Sequence, residues 1–329
     1  MAGIRADQVA LYTKDMYKAE REGYKQADTM WDKIFMVKNG VTGAGDKQTQ
    51  ILGAGALTRH TAENQQIVFK SPIQGWEYLV RYWTYSDGIA LSKEAVEDTV
   101  KLGNLLKELA ATWGISNRVE HETLAATVFN RGGDLLGEYV FNGTHTNNTD
   151  SSGDMMYDSE PLFNLTGNTR STKGGGTYFN SVAGIGTPSA ANFETIYNRH
   201  TTANNRDERD RVVKNPADTV ICDPGGDKFL FERILNTPKE QGLPGSQNND
   251  INPYYGIIKN IFDWDYLDDD AFYVGKAASP AFQFHQRQLP EIRFFRDETN
   301  LGYKASFNQR MGILLRDWRV WSRAGGSSA

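Results

Sequence analysis

Five aspartates fall within eight positions, at Asp263, Asp265, Asp268, Asp269 and Asp270. A run of this kind could hold calcium or supply the paired acid and base of a hydrolase. It lacks the central glycine and the terminal bidentate glutamate of a calcium loop. Nothing in the sequence fixes the ~5 or ~9 Å separation between two carboxylates that glycoside hydrolysis requires, and Glu120 with Glu122 has the same defect. A solvated turn accounts for the run, and a soluble hydrolase using Asp263 to Asp270 stays as the enzymatic alternative.

Other reactive groups are equally dispersed. His60, His121, His145, His200 and His285 show no metal-binding step such as HExxH. Cys222 is the sole cysteine, so Cys-based zinc and iron–sulfur sites are excluded, and its apolar neighbours predict a packed, unreactive thiol. GVTGAGDK (Gly40 to Lys47) lacks the hydroxyl that follows the lysine of a phosphate loop, and no GxSxG elbow is present. The expectation is therefore no enzyme, no cofactor and no metal. Lys304, Arg310, Arg316, Trp318, Arg319, Trp321 and Arg323 interleave cations with aromatics. That pattern reads either as a weak phosphate-contacting surface or as the outer face of a sheet, and the net charge of -5 argues against tight nucleic-acid binding.

The elements that must carry these residues follow from periodicity. Val9, Tyr12, Met16, Tyr24, Ala27, Trp31 and Ile34 form one stripe of a helix, or of two helices broken near Gly23. Its wide aromatic face needs a cover, from its own domain or from a neighbouring subunit. Residues 39 to 57 are rich in Gly and polar residues and read as loop. Gln66 to Pro72 and Glu77 to Leu91 alternate as strands. Together they form a long excursion that is marginal unless it finds a partner surface. Ser92 caps a helix whose stripe runs through Leu105, Leu109, Trp113, Leu124 and Val128 to about Arg131, with a kink expected near Trp113-Gly114. Thr144 to Pro188 reads as surface loop with a short hairpin around Tyr178, and Ser189 to His200 as a short helix. Thr219 to Cys222 is a buried strand. A helix capped by Asp227 follows it, with Phe229, Leu230, Ile234 and Leu235 inward. Tyr255 to Ile261 and most of Pro280 to Arg323 are strand pattern. Helices and strands mix without a βαβ rhythm, so the class is α+β.

This order of elements resembles the major capsid proteins of tailed bacteriophages, which share the Hong Kong 97 phage fold. The resemblance is carried by IALSKEAVEDT leading into the long helix, ADTVICDPGGDKFLFERIL (Ala217 to Leu235), GIIKNIFDWDYLDDDAFYVG, and the closing Arg-Asp-Trp-Arg at Arg316 to Arg319. It implies an N-terminal arm at 1–46, an E-loop at 47–91 and a P-domain with its spine helix at 92–152. An inserted A-domain at 153–275 and P-domain strands with the C-terminus at 276–329 complete it. By the same resemblance, the chain is a structural subunit that forms hexamers and pentamers of an icosahedral head around double-stranded DNA, in the virion after assembly in the host cytoplasm. An encapsulin-like compartment shell is the alternative within the same fold.

Partners implied are copies of the chain itself, a separate scaffolding protein, a portal, an optional cement protein, and packaged DNA held by weak non-specific contact; no membrane is implied. Arg59, Glu63, Lys70 and Arg81 on the E-loop, and Tyr12, Met16 and Trp31 on the arm, are the expected intersubunit contacts. Lys47 and Lys70 are the lysines available for a Lys–Asn cross-link.

Overall fold

The computed structural model describes residues 6–41, 45–52, 59, 66–67, 69, 73–93, 102–134, 160–167, 169–224, 226–238, 251–268, 271–296 and 302–325. Two compact units divide the chain. One comprises Met1–Ala44, Arg81–Ala126 and Gln283–Ile313, the other Gly45–Val80, Thr127–Phe282 and Leu314–Ala329.

The first unit is helix on sheet. Helix α1 (Ala6–Tyr24) and the short α2 (Trp31–Ile34) lead into strand β1 (Phe35–Asn39). Helix α3 (Leu102–Asn130) is unbroken over 29 residues, about 43 Å at 1.5 Å per residue. Strands β4 (Trp83–Leu91), β11 (Ser279–Arg296) and β12 (Tyr303–Leu315) join β1 in a sheet of order β1-β11-β12-β4. β12 runs antiparallel to β4 from Tyr303↔Leu91 to Met311↔Trp83. The core lies between helices and sheet: Met16 and Ala19 from α1, Leu106, Ala110 and Trp113 from α3, and Phe294, Tyr303 and Phe307 from the strands. The aromatic stripe of α1 is thus covered by the chain's own unit. Ile292 on β11 donates its backbone N–H to the Tyr17 hydroxyl at 2.8 Å, so the helix also satisfies a strand donor.

The predicted kink at Gly114 is absent, and the glycine has another use. A Cβ there would fall on the carbonyl oxygen of Glu20 and within 2.8 Å of the Tyr24 backbone nitrogen, while a Cβ at Gly23 would fall on the Ala111 carbonyl. The two helix backbones touch at this crossing, which only residues without a side chain permit. Gly103 sits on the same side of α3, where a Cβ would come within 3.3 Å of the Tyr12 ring.

The second unit centres on a five-stranded sheet of order β7-β13-β10-β8-β9, formed by β7 (Ser181–Val182), β8 (Thr219–Cys222), β9 (Asn260–Asp263), β10 (Ala271–Gly275) and β13 (Trp321–Gly325). All four residues of β8 are buried, as its apolar run predicts. Helices α4 (Ala190–Asn198) and α5 (Gly226–Asn236) contribute Phe193, Ile196, Phe231 and Leu235 to one core, with Val220, Phe272 and Val274 from the sheet. Ser189 caps α4, its hydroxyl accepting from the Asn192 N–H at 3.1 Å. A second core gathers Phe163, Trp264, Tyr273, Phe282 and Trp321 around Phe129 at centroid distances of 5.0–6.5 Å. Strands β5 (Arg170–Ser171) and β6 (Thr177–Tyr178) make the small hairpin expected near Tyr178.

Several expectations need correction. β2 (Gly45–Leu52) is a strand inside the stretch read as loop, and its partner is β3 (Ile73–Arg81). Gln66, Ile67 and Phe69, read as strand, lie outside every strand and are exposed. A two-stranded ladder is held by backbone hydrogen bonds, which composition does not report, so the polar GDKQTQIL was missed. The strand predicted over 77–91 is interrupted at Tyr82. Phe229 is 69% exposed, and Phe231 takes the inward place. The strand expected from Tyr255 begins at Asn260, because Asn252 turns the preceding backbone by donating to the carbonyls of Ile234 and Thr237.

The helix crossing yields a test in which two effects oppose each other. In an isolated helix Gly114→Ala would gain about 1 kcal/mol of propensity. At this crossing the added methyl meets backbone that cannot rotate away, so overpacking of about 1–3 kcal/mol or more prevails. Urea unfolding should therefore show Gly114→Ala less stable than the parent, whereas Gly88→Ala, whose methyl would meet only the Ala305 oxygen at 3.5 Å, changes little by comparison.

Candidate functional site

The groups able to do chemistry are almost all committed to structure. Among the described residues no three His, Cys, Asp or Glu side chains converge to hold a metal. Within the aspartate run, Asp263 pairs with Lys228 at 2.9 Å and the Asp268 backbone N–H donates to Asn130. Asp269 and Asp270 lie outside the described residues. The Cys222 thiol is fully buried in β8, and burial pushes its pKa up to about 12.

Three histidines are buried by the same logic. In the first unit the Trp31 indole N–H donates to the Tyr24 hydroxyl at 3.0 Å, and that hydroxyl is hydrogen-bonded to His121 Nδ1 at 2.9 Å. Trp31 and Phe284 flank the imidazole. His285 is held between the Tyr82 hydroxyl and Gln283. In the second unit His200 lies 3.1 Å from the Ser322 hydroxyl. Burial lowers the pKa of His121 and of His200 to about 4. Both are neutral packing elements.

The last part of the tail's basic–aromatic alternation turns inward, while Lys304 and Arg310 lie half-buried on the other face of β12, as the sheet-face reading expects. Trp318 and Trp321 are buried, as are Arg319 and Arg323. Arg319 bonds Glu208 at 2.8 Å and Asp317 at 3.0 Å, and its guanidinium lies over the Trp318 ring at 4.6 Å. Asp317 in turn accepts from the Arg319 backbone N–H. The Arg-Asp-Trp-Arg motif is thus a local clasp. Nearby, the glycine-rich loop after Ser171 is closed by Asp210, which accepts from the Thr172 hydroxyl at 2.7 Å, the Gly176 N–H at 2.9 Å and the Tyr178 hydroxyl at 3.0 Å. Burial alone would raise the Asp210 pKa, but these donors hold it below the ordinary value.

What remains uncommitted is apolar surface. Ile67 and Phe69, between β2 and β3, are 63% and 89% exposed. Of the expected E-loop contacts, Arg59 is exposed and Arg81 ends β3, while Glu63 and Lys70 lie outside the described residues. Of the expected arm contacts, Met16 and Trp31 are buried in the chain's own unit, and Tyr12 packs against the same core. The sequence signal that could have placed them is the pair Gly23 and Gly114, each on the helix face that meets the other helix. A cavity of about 420 Å³ opens in the first unit between α1, α3 and β11, lined by Tyr17, Glu20, Tyr24, Trp31, Asn117 and Leu289 among others. No residue pattern announced it.

The buried titratable groups generate two expectations. Between about pH 6.5 and 4 the unfolded chain protonates its histidines while folded His121 and His200 stay neutral. The unfolded state then binds more protons, so stability falls as pH falls through that window, by up to about 3 kcal/mol per histidine. Urea unfolding at pH 7, 5.5 and 4.5 should show this slope, and His200→Gln should lower stability at pH 7 while flattening it. Cys222 should resist thiol reagents at pH 8 in the folded protein and react with one equivalent on denaturation.

No protein-family model matches the chain, and no curated protein does. Solved structures do. A structure from Mycobacterium phage Patience is 10% identical, with all of this chain and 91% of that one covered at a TM-score of 0.51. A virus-like particle from Pyrococcus furiosus is 11% identical, with 95% of this chain and 99% of that one covered at 0.48. The capsid of a native GTA particle is 11% identical, with 91% of each chain covered at 0.48. The first spans the whole chain. The chain has the Hong Kong 97-like fold of tailed-phage major capsid proteins.

Proposed function

We propose that this chain is the major capsid protein of a tailed bacteriophage, a structural subunit and not an enzyme. It assembles through copies of itself into hexamers and pentamers of an icosahedral head that encloses double-stranded DNA. The observation that carries this reading is the likeness in fold to the phage Patience structure, which covers this chain from end to end. Ile67 and Phe69 support it, because exposed apolar side chains are the kind of surface that association buries. In this reading Arg59, Glu63, Lys70 and Arg81 contact the neighbouring subunit, assembly uses a separate scaffolding protein and a portal, a cement protein is optional, and DNA is held only weakly. The virion is the site of action.

Electron microscopy of the purified chain, expressed with and without its scaffolding partner, tests the proposal: shells, tubes or capsomers are expected, and a strict monomer under both conditions would reject it. The double variant Ile67→Asp with Phe69→Asp should keep the melting temperature of the monomer, since both side chains are exposed, and should lose the assembled particles.

A further inference from the structure

The cavity in the first unit has a built floor. Glu20 and Asn117 are each 4% exposed. The Asn117 amide nitrogen donates to Glu20 Oε1 at 3.3 Å, and Asn117 Oδ1 has no hydrogen-bond partner among the described residues. Glu20 has no ion pair there, and burial holds its carboxyl above the ordinary pKa. The Asn117 hydrogen bond and the charge of Arg21 favour its ionised form, and a cation entering the cavity would supply the close ion-pair partner that Glu20 lacks among the described residues. Tyr17, Tyr24 and Trp31 contribute aromatic walls, and Leu289, 54% exposed, stands among the lining residues. Arg21, Lys25 and Asp32 also line the space, but all three are exposed and their charges are screened by water. The volume falls within the range of small-molecule sites.

We infer that this cavity is a binding site for a small organic ammonium cation, with Glu20 as counter-charge, Asn117 Oδ1 as hydrogen-bond acceptor, and Tyr17, Tyr24 and Trp31 as the aromatic wall. Aromatic faces attract ammonium groups through their quadrupole, and the attraction strengthens when the site is desolvated. A carboxylate at the base of such a wall selects a cation over a neutral molecule of the same shape. The inference stands apart from the proposed shell function.

Phenethylammonium and phenethyl alcohol are matched probes that differ in the charged head. Titration of the full-length protein at pH 7.5, followed by calorimetry and ligand-observed NMR, should show the ammonium binding at least tenfold more tightly than the alcohol. Glu20→Gln should remove that preference. Leu289→Trp, at an exposed position lining the cavity, should exclude both probes while leaving the melting temperature unchanged. Equal binding of the two probes by the parent protein, or binding of neither, overturns the inference without need of any variant. Persistence of the preference in folded Glu20→Gln also overturns it. Seating of a second copy's Phe69 in the cavity would appear as loss of probe binding on assembly together with no charge preference in the unassembled chain, and that outcome counts against the ammonium reading.

Discussion

The first unit depends on the crossing of two helix backbones at Gly23 and Gly114. A side chain at either position would fall on a carbonyl of the partner helix. With both absent, α1 lies close enough for Glu20 to reach Asn117 and for Tyr24 to reach His121. The Tyr24 hydroxyl then accepts from Trp31, and α2 is fixed in turn. The same contact lets the stripe of α1 join a core with Leu106, Ala110 and Phe307. Helix pairs usually lie 8–10 Å apart, with the distance set by the side chains between them; here the usual spacers are missing, so positioning passes to the polar pairs on either side.

How much of this was legible in the sequence depended on whether a residue's fate is decided locally. Apolar periods located α1 and the long helix, the buried run at Thr219 to Cys222 located β8, and Ser189 marked the start of α4. The class and the order of elements followed. Gly114 was misread because a lone glycine in a helix has two explanations, a weak point or a close approach, and only the partner's backbone distinguishes them. β2 was missed for a related reason, since its strand character comes from the β3 ladder and not from a face of its own. Phe229 and Phe231 lie two positions apart on α5, and Phe229 faces away from the core that Ile234 and Leu235 join as expected.

The candidate site was less legible than the fold. Residue types suggested chemistry at the histidines, the aspartate run and the basic tail, and burial assigned most of those groups to hydrogen-bonding roles. Nothing in the sequence marks Asn180, yet its amide nitrogen lies within 3.1 Å of the carbonyls of Leu162, Trp318 and Trp321, while its oxygen accepts from the Asn164 N–H. A buried polar side chain of this kind holds irregular backbone where no ladder can. Arg319, between Glu208 and the Trp318 ring, does the same with charge. The sequence shows such residues as polar and leaves unstated the partners that lie more than 100 positions away, Trp318 and Trp321 for Asn180 and Glu208 for Arg319.

The enclosure of Cys222 in β8 has a practical corollary. Because the sole thiol of the chain is sealed inside a sheet, the protein is in effect a cysteine-free scaffold at its surface. A cysteine introduced at any exposed position would be the single attachment point on each copy for a dye, a spin label or a displayed peptide. The native residue need not first be replaced, and the packing of the second unit would stay intact. On a repeating assembly such attachment would give one evenly spaced label per subunit.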